Sequence, residues 1–300
     1  MRTRHRMMTN VSIDLFRINS SWTTTATWNN QPTIAATAET TTTSNTVNAY
    51  WQWTITQLVK DWYNGIQPNY GFMLKQQNKS TSPYRTFTSV NNGTNTPRLT
   101  INYTIDPSGL EDFWGYTKDG INVANGNLIF QETDLSIPGR GVPVSLTRTY
   151  NSRKSMTAGL FGYGWFSNIE TQLVDAAGTG PITLIDGDNT RHIFGQKVGG
   201  GYVAHGGVYL TLVKNADNTY TVTQTDGTKI NFNTSGKISS IVDTNGNTTS
   251  YTYGTNGKVS KITDASGRAT TFAYGTNGYV SSVTDPANRI TSFEYDASGI

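Results

Sequence analysis

From Gly236 onward the chain repeats itself at a fixed period of 21 residues, without a gap. GKISSIVDTNGNTTSYTYGTN is followed by GKVSKITDASGRATTFAYGTN, then by GYVSSVTDPANRITSFEYDAS, and a further unit opens at Gly299. A degenerate copy, TDGTKINFNTSG, comes before the first unit. A fixed period of this length means stacked supersecondary units. Each unit reads as two strands and two turns. Asn245-Gly246 and Asn256-Gly257 are hairpin-turn pairs that tolerate positive φ, and Ser266-Gly267 and Asn277-Gly278 recur in the same places. Tyr251 and Tyr253 are two apart and share a strand face, as do Phe272 with Tyr274 and Phe293 with Tyr295. Ile238 and Ile241 are three apart, so either a bulge intervenes or both faces are partly covered. One hairpin is marginal in water. Stacking lets each aromatic pair bury against the next, at roughly 1.5–3 kcal/mol per large side chain.

Composition agrees with strands and turns. Of 300 residues, 35% are apolar and only 14% charged, with 16 Tyr, 7 Trp and 30 Gly. A helical bundle would need more Ala, Leu, Glu and Lys. The net charge is +3, which Arg2, Arg4 and Arg6 supply, so no basic face for nucleic acid stands out. Cysteine is absent, which excludes disulfides, thiol chemistry and Cys-ligated zinc. No apolar run has transmembrane length. The start, MRTRHRMM, is basic but is followed by the mixed TNVSIDLF, so no signal-peptide core is present. Taken alone, that reads as a chain that stays inside the cell.

Residues 1–105 form one block. VSIDLFRI, AYWQWTI, GFMLK, RTFTSV and RLTINYTI read as strands, and SWTTTATWNNQP as a polar loop. TITQLVKDWYNG is the one good helix signal. Thr54 and Gln57 have capping-box spacing, Leu58, Val59 and Trp62 form an apolar face, and Gly65 sits at a helix stop. The block predicts a truncated β-sandwich with one short helix. Residues 106–118 read as a linker, 119–213 as a second β block, and 214–300 as the repeats.

The units have the form G-x-[IV]-x-x-[IV]-x-D-x-x-[GN]-x-x-T-x-[YF]-x-Y and resemble Rhs/YD repeats over residues 236–298. NGNL from Asn125, ETDL from Glu132, IPG from Ile137, RTYNS from Arg148 and FGYGW from Phe161 resemble the head domain that opens an Rhs core. Trp22, WNNQP from Trp28, WYNG from Trp62, PNYG from Pro68 and RTFTS from Arg85 resemble the back portion of a DNRLRE-type sandwich. The order is similar to wall-associated Rhs proteins of Gram-positive bacteria. The resemblance implies a secreted or wall-attached protein whose repeats wind into a hollow β shell. That shell would enclose a variable C-terminal toxin used in contact-dependent competition. The front of the sandwich, a signal peptide, the shell-closing end and the toxin are all missing from the pattern, so a fragment of a longer protein is expected.

Candidate chemistry is sparse. Asp243, Asp264 and Asp285 recur at the period and could form a calcium ladder, but an Asx-type turn before each loop is the simpler reading. Asp186, Asp188 and His192 could hold a metal, but Asp-Gly-Asp-Asn is more simply a tight turn. His5 and His205 have no partner pattern. Trp22, Trp28, Trp51, Trp53 and Trp62 could stack on sugars, against the reading that they build the sandwich core. DPSGL at 106–110 looks like a piece of an Rhs cleavage motif but sits upstream of the repeats, as linker.

Three functions follow in order. The first is a non-catalytic surface scaffold, bound to wall glycan or another surface through the sandwich, with its own C-terminal region as shell and cargo. The second is an adhesin or carbohydrate-binding module without cargo. The third is a glycan hydrolase, for which Glu111 and Asp112 are the only adjacent acidic pair, in the linker. No catalytic, cofactor or metal residue is expected, and no nucleic-acid partner or membrane span.

Overall fold

The computed structural model describes residues 10–46, 49–77, 85–103, 108–110, 115–175, 180–197, 200–296 and 299. Among the described residues the chain is all-β, with one eight-residue α-helix. It divides into two compact units, Met1–Thr104 and Ile105–Ile300. Arg2, Arg4, Arg6, His5, Glu111 and Asp112 lie outside the described residues.

The first unit is built on β1 (Val11–Arg17), flanked antiparallel by β2 (Thr40–Ser44) and β3 (Phe72–Gln76). The alternation in VSIDLFR buries Val11, Ile13 and Leu15 on one face. Helix α1 (Thr56–Tyr63) buries Leu58, and Gly65, at φ +66°, ends it. The capping box expected at Thr54 does not form: the helix starts at Thr56, after Ile55, without a side-chain cap. Of the five expected strands, VSIDLFRI and GFMLK are strands. AYWQWTI, RTFTSV and RLTINYTI carry no ladder among the described residues. Side chains hold AYWQWTI and RTFTSV instead. Trp53 donates its indole N–H to the Ile13 carbonyl at 3.0 Å, and Phe87 meets the Trp51 and Trp53 rings edge-on. The third strand comes from TTTTS, whose Thr row has β propensity but no apolar alternation.

The second unit has two layers. One layer contains β4 (Ile129–Ile137), β5 (Val144–Asn151) and β8 (Trp165–Ser167), with the small pair β6 (Ala158–Gly159) and β7 (Gly162–Tyr163) between β5 and β8. A separate four-stranded antiparallel sheet follows, from β9 (Gln172–Asp175), β10 (Ile182–Ile185), β11 (Arg191–Gln196) and β12 (Tyr202–Ala204). The other layer is a nine-stranded meander. Its strands are β13 (Thr211–Lys214), β14 (Tyr220–Thr223), β15 (Lys229–Phe232), β16 (Ile238–Val242), β17 (Thr248–Tyr253), β18 (Val259–Thr263), β19 (Ala269–Tyr274), β20 (Val280–Thr284) and β21 (Ile290–Ser292). Every neighbouring pair in this sheet is antiparallel.

One core joins Leu173, Ile182, Leu184 and Phe194 to Leu212, Val222, Phe232 and Ile238 of the meander. A second joins Ile137, Val144, Leu146, Phe161 and Ile169 to Val259, Ile262, Phe272, Val280 and Val283. Tyr251 packs against both. Such a meander, polar on its outer face, is stable because these sheets cover its apolar face.

The spacing of Ile238 and Ile241 is resolved by a bulge. Phe232 pairs with Ile238 and Asn231 with Ser240, so Ser239 is left over. The same skip leaves Ser260 and Ser281 unpaired, again 21 residues apart. The bulge brings residues three apart, such as Val259 and Ile262, into one core. The turns differ in one detail from expectation. Gly246, Gly257 and Gly278 are left-handed, but the preceding Asn residues are not. The loops are therefore three-residue loops whose last residue is left-handed, the geometry that fits a bulged hairpin. Asn288 takes that position in the last described turn, at φ +61°.

Candidate functional site

The periodic aspartates are turn residues. Asp243 Oδ1 accepts the backbone N–H groups of Asn245 and Asn247, and its Oδ2 accepts the Asn247 amide. Asp264 takes the same backbone pair from Ser266 and Arg268, and Asp285 from Ala287 and Arg289. In both, the second oxygen accepts the Nε–H of the Arg four residues on. The Asn247 side chain holds the Asp243 carboxyl below the usual carboxylate range, and the Arg289 backbone N–H does so for Asp285. Their lone pairs are thus engaged in closing loops.

Asp186, Asp188 and His192 also belong to a turn. Asp186 N–H bonds to the Thr190 carbonyl, Asn189 is left-handed at φ +69°, and the His192 ring contacts Asp186 at 2.9 Å. Asp188 accepts from Thr190 and from the backbone of Leu110. Among the described residues no group of three His, Asp or Glu is placed to hold a metal. Ser108–Leu110, expected as linker, are built into the second unit. Gly109 N–H donates to Asn151, Ser108 Oγ–H donates to the Asn189 carbonyl, and Ser108 is buried.

The head motifs converge. Arg148 makes a two-pronged pair with Asp134, at 2.5 and 2.7 Å, and lies over the Trp165 and Phe293 rings at 4.8 and 5.1 Å. Asn127 and Asn151, both fully buried, share a hydrogen bond. Gly139 lies against Arg268, whose guanidinium donates to the Pro138 carbonyl. Arg148, Asp134, Asn127, Asn151, Phe161 and Gly139 within these motifs are therefore packing residues.

One group has no periodic or motif signal. Glu170 accepts from Leu160 N–H and Ser167 Oγ–H, both at 2.7 Å. Burial pushes its carboxyl up to about 7, against those hydrogen bonds and the charge of Lys258.

The tryptophans divide. Trp51 and Trp53 are half-buried, 6.3 Å apart, and cluster with Phe87. Trp62 is half-buried on the helix. Trp22 and Trp28, by contrast, are 50% and 75% exposed, so the core reading fails for these two. The Trp22 indole N–H donates to the Tyr70 carbonyl at 2.7 Å. Rings fixed on a surface can stack on the apolar face of a flat ligand.

Comparison with known proteins matches three stretches of the chain. Residues 2–103 match carbohydrate-binding module family 96. Residues 118–194 match a domain of unknown function, DUF6531. Residues 232–269 and 255–290 match the RHS repeat. The chain is 40% identical over 147 residues to the tRNA nuclease WapA of Bacillus subtilis (strain 168), covering 48% of this chain and 6% of that protein. It is 36% identical over 197 residues to the tRNA3(Ser)-specific nuclease WapA of Bacillus spizizenii, covering 63% of this chain and 8% of that protein. The chain thus spans less than a tenth of the length of these relatives. Its 21-residue hairpins, their bulges, the RHS-repeat matches on them and the domain match before them support an Rhs/YD-repeat protein.

Proposed function

We propose that the chain is a non-catalytic surface scaffold. Its first unit attaches to wall glycan or another surface, and its second unit begins a β shell around a C-terminal toxin used in contact-dependent competition. The observation that carries this reading is the capped meander. The sheets before it cover one face of the first repeats, and β21 is the edge strand of the meander among the described residues. The match to a carbohydrate-binding module supports glycan attachment. A secreted or wall-associated location fits that match and the RHS-repeat matches. Among the described residues no helix is long and apolar enough to cross a membrane. We assign the tRNA cleavage for which the relatives are named to sequence beyond the matched stretch. Here the periodic carboxylates are committed to turns.

A direct test extends the reading frame past Ile300 and exposes the extended protein to protease. An enclosed cargo predicts a resistant core that retains the downstream domain. Digestion of that domain while the repeats survive would remove the shell from this reading. An adhesin without cargo, favoured by the carbohydrate-module match alone, would then remain. Turnover of wall polysaccharide by the 300-residue chain would contradict the non-catalytic assignment.

A further inference from the structure

We propose that Asn245 is a site of spontaneous deamidation in the repeats, and that its conversion to isoaspartate loosens the seam between the β4–β5 hairpin and the first repeat.

Three turns of the meander contain the same tripeptide, Thr-Asn-Gly, at 244–246, 255–257 and 276–278. All three asparagines are exposed, and all three glycines are left-handed. Each glycine N–H bonds to the carbonyl three residues back, at 3.1 Å for Gly246 and 2.9 Å for Gly257 and Gly278. Local sequence, exposure and backbone are thus shared, and the distinction lies in the asparagine side chains.

It starts at the first residue of each turn. Where that residue is glycine, at Gly254 and Gly275, the asparagine oxygen accepts the N–H two residues on. Lys258 N–H donates to Asn256 at 3.0 Å, and Tyr279 N–H to Asn277 at 3.1 Å. Where it is Asp243, the carboxylate takes that N–H instead. Asp243 Oδ1 accepts Asn247 N–H at 2.8 Å and Asn245 N–H at 2.9 Å. A charged acceptor wins over a neutral amide. The Asn245 carboxamide is left without a hydrogen bond among the described residues. The other two aspartate turns of the repeats hold Ser266 and Ala287 at this place, so they have no amide to lose.

The chemistry needs only water. Gly246 N attacks Asn245 Cγ, the bond from Cγ to the carboxamide nitrogen breaks, and ammonia leaves with the proton from Gly246 N. Water then opens the cyclic imide at one of its two carbonyls, giving aspartate or isoaspartate. Glycine permits the attack because no Cβ crowds its nitrogen. A Cβ at Gly246 would meet nothing within 4 Å, so the ring has room to close. Asn256 and Asn277 must first give up a hydrogen bond before their side chains can swing to the nitrogen.

Isoaspartate routes the backbone through the side chain and adds a carbon to a short loop. The Asp243 carboxylate then no longer holds the N–H groups of both residues 245 and 247 in place. Asn247 is what the β4–β5 hairpin rests on. A Cβ built at Gly141 would lie 2.6 Å from Asn247 Cβ, and Thr249 Oγ–H donates to the Val142 carbonyl at 3.4 Å.

The test incubates the 300-residue chain at mildly alkaline pH, digests it with trypsin and locates each exchange of ammonia for water by mass spectrometry with fragmentation. The tryptic peptide 238–258 holds Asn245 and Asn256 together. We expect Asn245 to convert roughly fivefold faster than Asn256 and Asn277, the factor that one hydrogen bond is worth, and all three to convert alike in urea. Asp243→Gly, which copies the turn at 254–257, should slow Asn245 to the rate of Asn256. If that variant does not fold, Gly254→Asp tests the rule from the other side and should speed Asn256 to the rate of Asn245. Equal rates in the folded chain overturn the site, and a difference that persists in urea overturns its structural cause. The converted protein, separated by its added negative charge, should be cut faster by trypsin after the exposed Arg140 of the β4–β5 hairpin. An unchanged rate of cutting there overturns the loosened seam.

Discussion

Tyr253, Tyr274 and Tyr295 each send a hydroxyl back to a carbonyl 15 residues earlier: Ile238 at 2.8 Å, and Val259 and Val280 at 2.7 Å. The first two bonds tie the end of one strand to the start of the bulged strand before it, and the third does the same from just beyond β21. The ring buries apolar area while the hydroxyl satisfies a carbonyl beside the bulge. Lys237 and Lys258 cover the first two of these rings, at 5.4 and 5.3 Å, and Tyr279 stacks on the third at 5.1 Å. Tyr274→Phe keeps the ring and leaves the Val259 carbonyl unpaired. It should cost about 1 kcal/mol in urea unfolding, and an unchanged midpoint would show the bond contributes nothing. Glu170 gives a pH dependence. Its carboxyl titrates near 7 in the fold against 4.5 when free, so folding favours the protonated form. That stabilisation is complete below pH 4.5 and is lost as pH rises through 7, by roughly 3 kcal/mol. Unfolding curves between pH 4.5 and 8 should show the decline, and Glu170→Gln should flatten it. Equal slopes in the two proteins would rule Glu170 out as the source.

At the scale of elements, two glycines in equivalent-looking turns have different work. Gly236 is left-handed at φ +76°, and a Cβ there would lie 2.0 Å from the Leu173 carbonyl, where β9 meets the meander. Gly246, at φ +81°, has open space around it. Gly246→Ala should cost only the left-handed strain, about 1–2 kcal/mol. Gly236→Ala should cost clearly more and expose the Leu173 amide, which donates to the Gly236 carbonyl, to hydrogen exchange. Equal losses in melting temperature would mean that the β9 contact adds nothing. The sequence makes these turns look alike, because each glycine closes a three-residue loop of the same kind between two strands. The difference arises from what lies across from each turn. The same holds in the first unit. There VSIDLFRI shows its strand by alternation, while AYWQWTI and RTFTSV alternate too but satisfy themselves through the Trp51–Trp53–Phe87 contacts.

For the second unit as a whole, the head sets where each repeat must sit. Val280 N–H bonds to the Leu160 carbonyl, Tyr163 N–H bonds to the Gly299 carbonyl, and Phe161 meets Phe293 at 5.1 Å. Removing residues 257–277 deletes one full unit and joins Asn256 to Gly278, which preserves every hairpin rule of the repeats. It also moves Val280, Phe293 and Gly299 one unit away from Leu160, Phe161 and Tyr163. We expect a folded but weakened protein, down by about 3 kcal/mol or more as buried apolar contacts are lost. A deletion variant as stable as the parent in denaturant would mean that the head does not count repeats.

The sequence by itself determined the all-β class, the 21-residue hairpin, the tyrosine positions and the turn role of Asp243, Asp264 and Asp285. These depend on local periodicity and on turn chemistry within five residues, which a linear pattern records directly. The tertiary structure decided which tryptophans face solvent, why Ile238 and Ile241 reach one core, which glycines meet another backbone, and that Glu170 is buried among Leu160, Ser167 and Lys258. Each of these depends on a partner tens of residues away or on burial, and burial is a property of the packed layers.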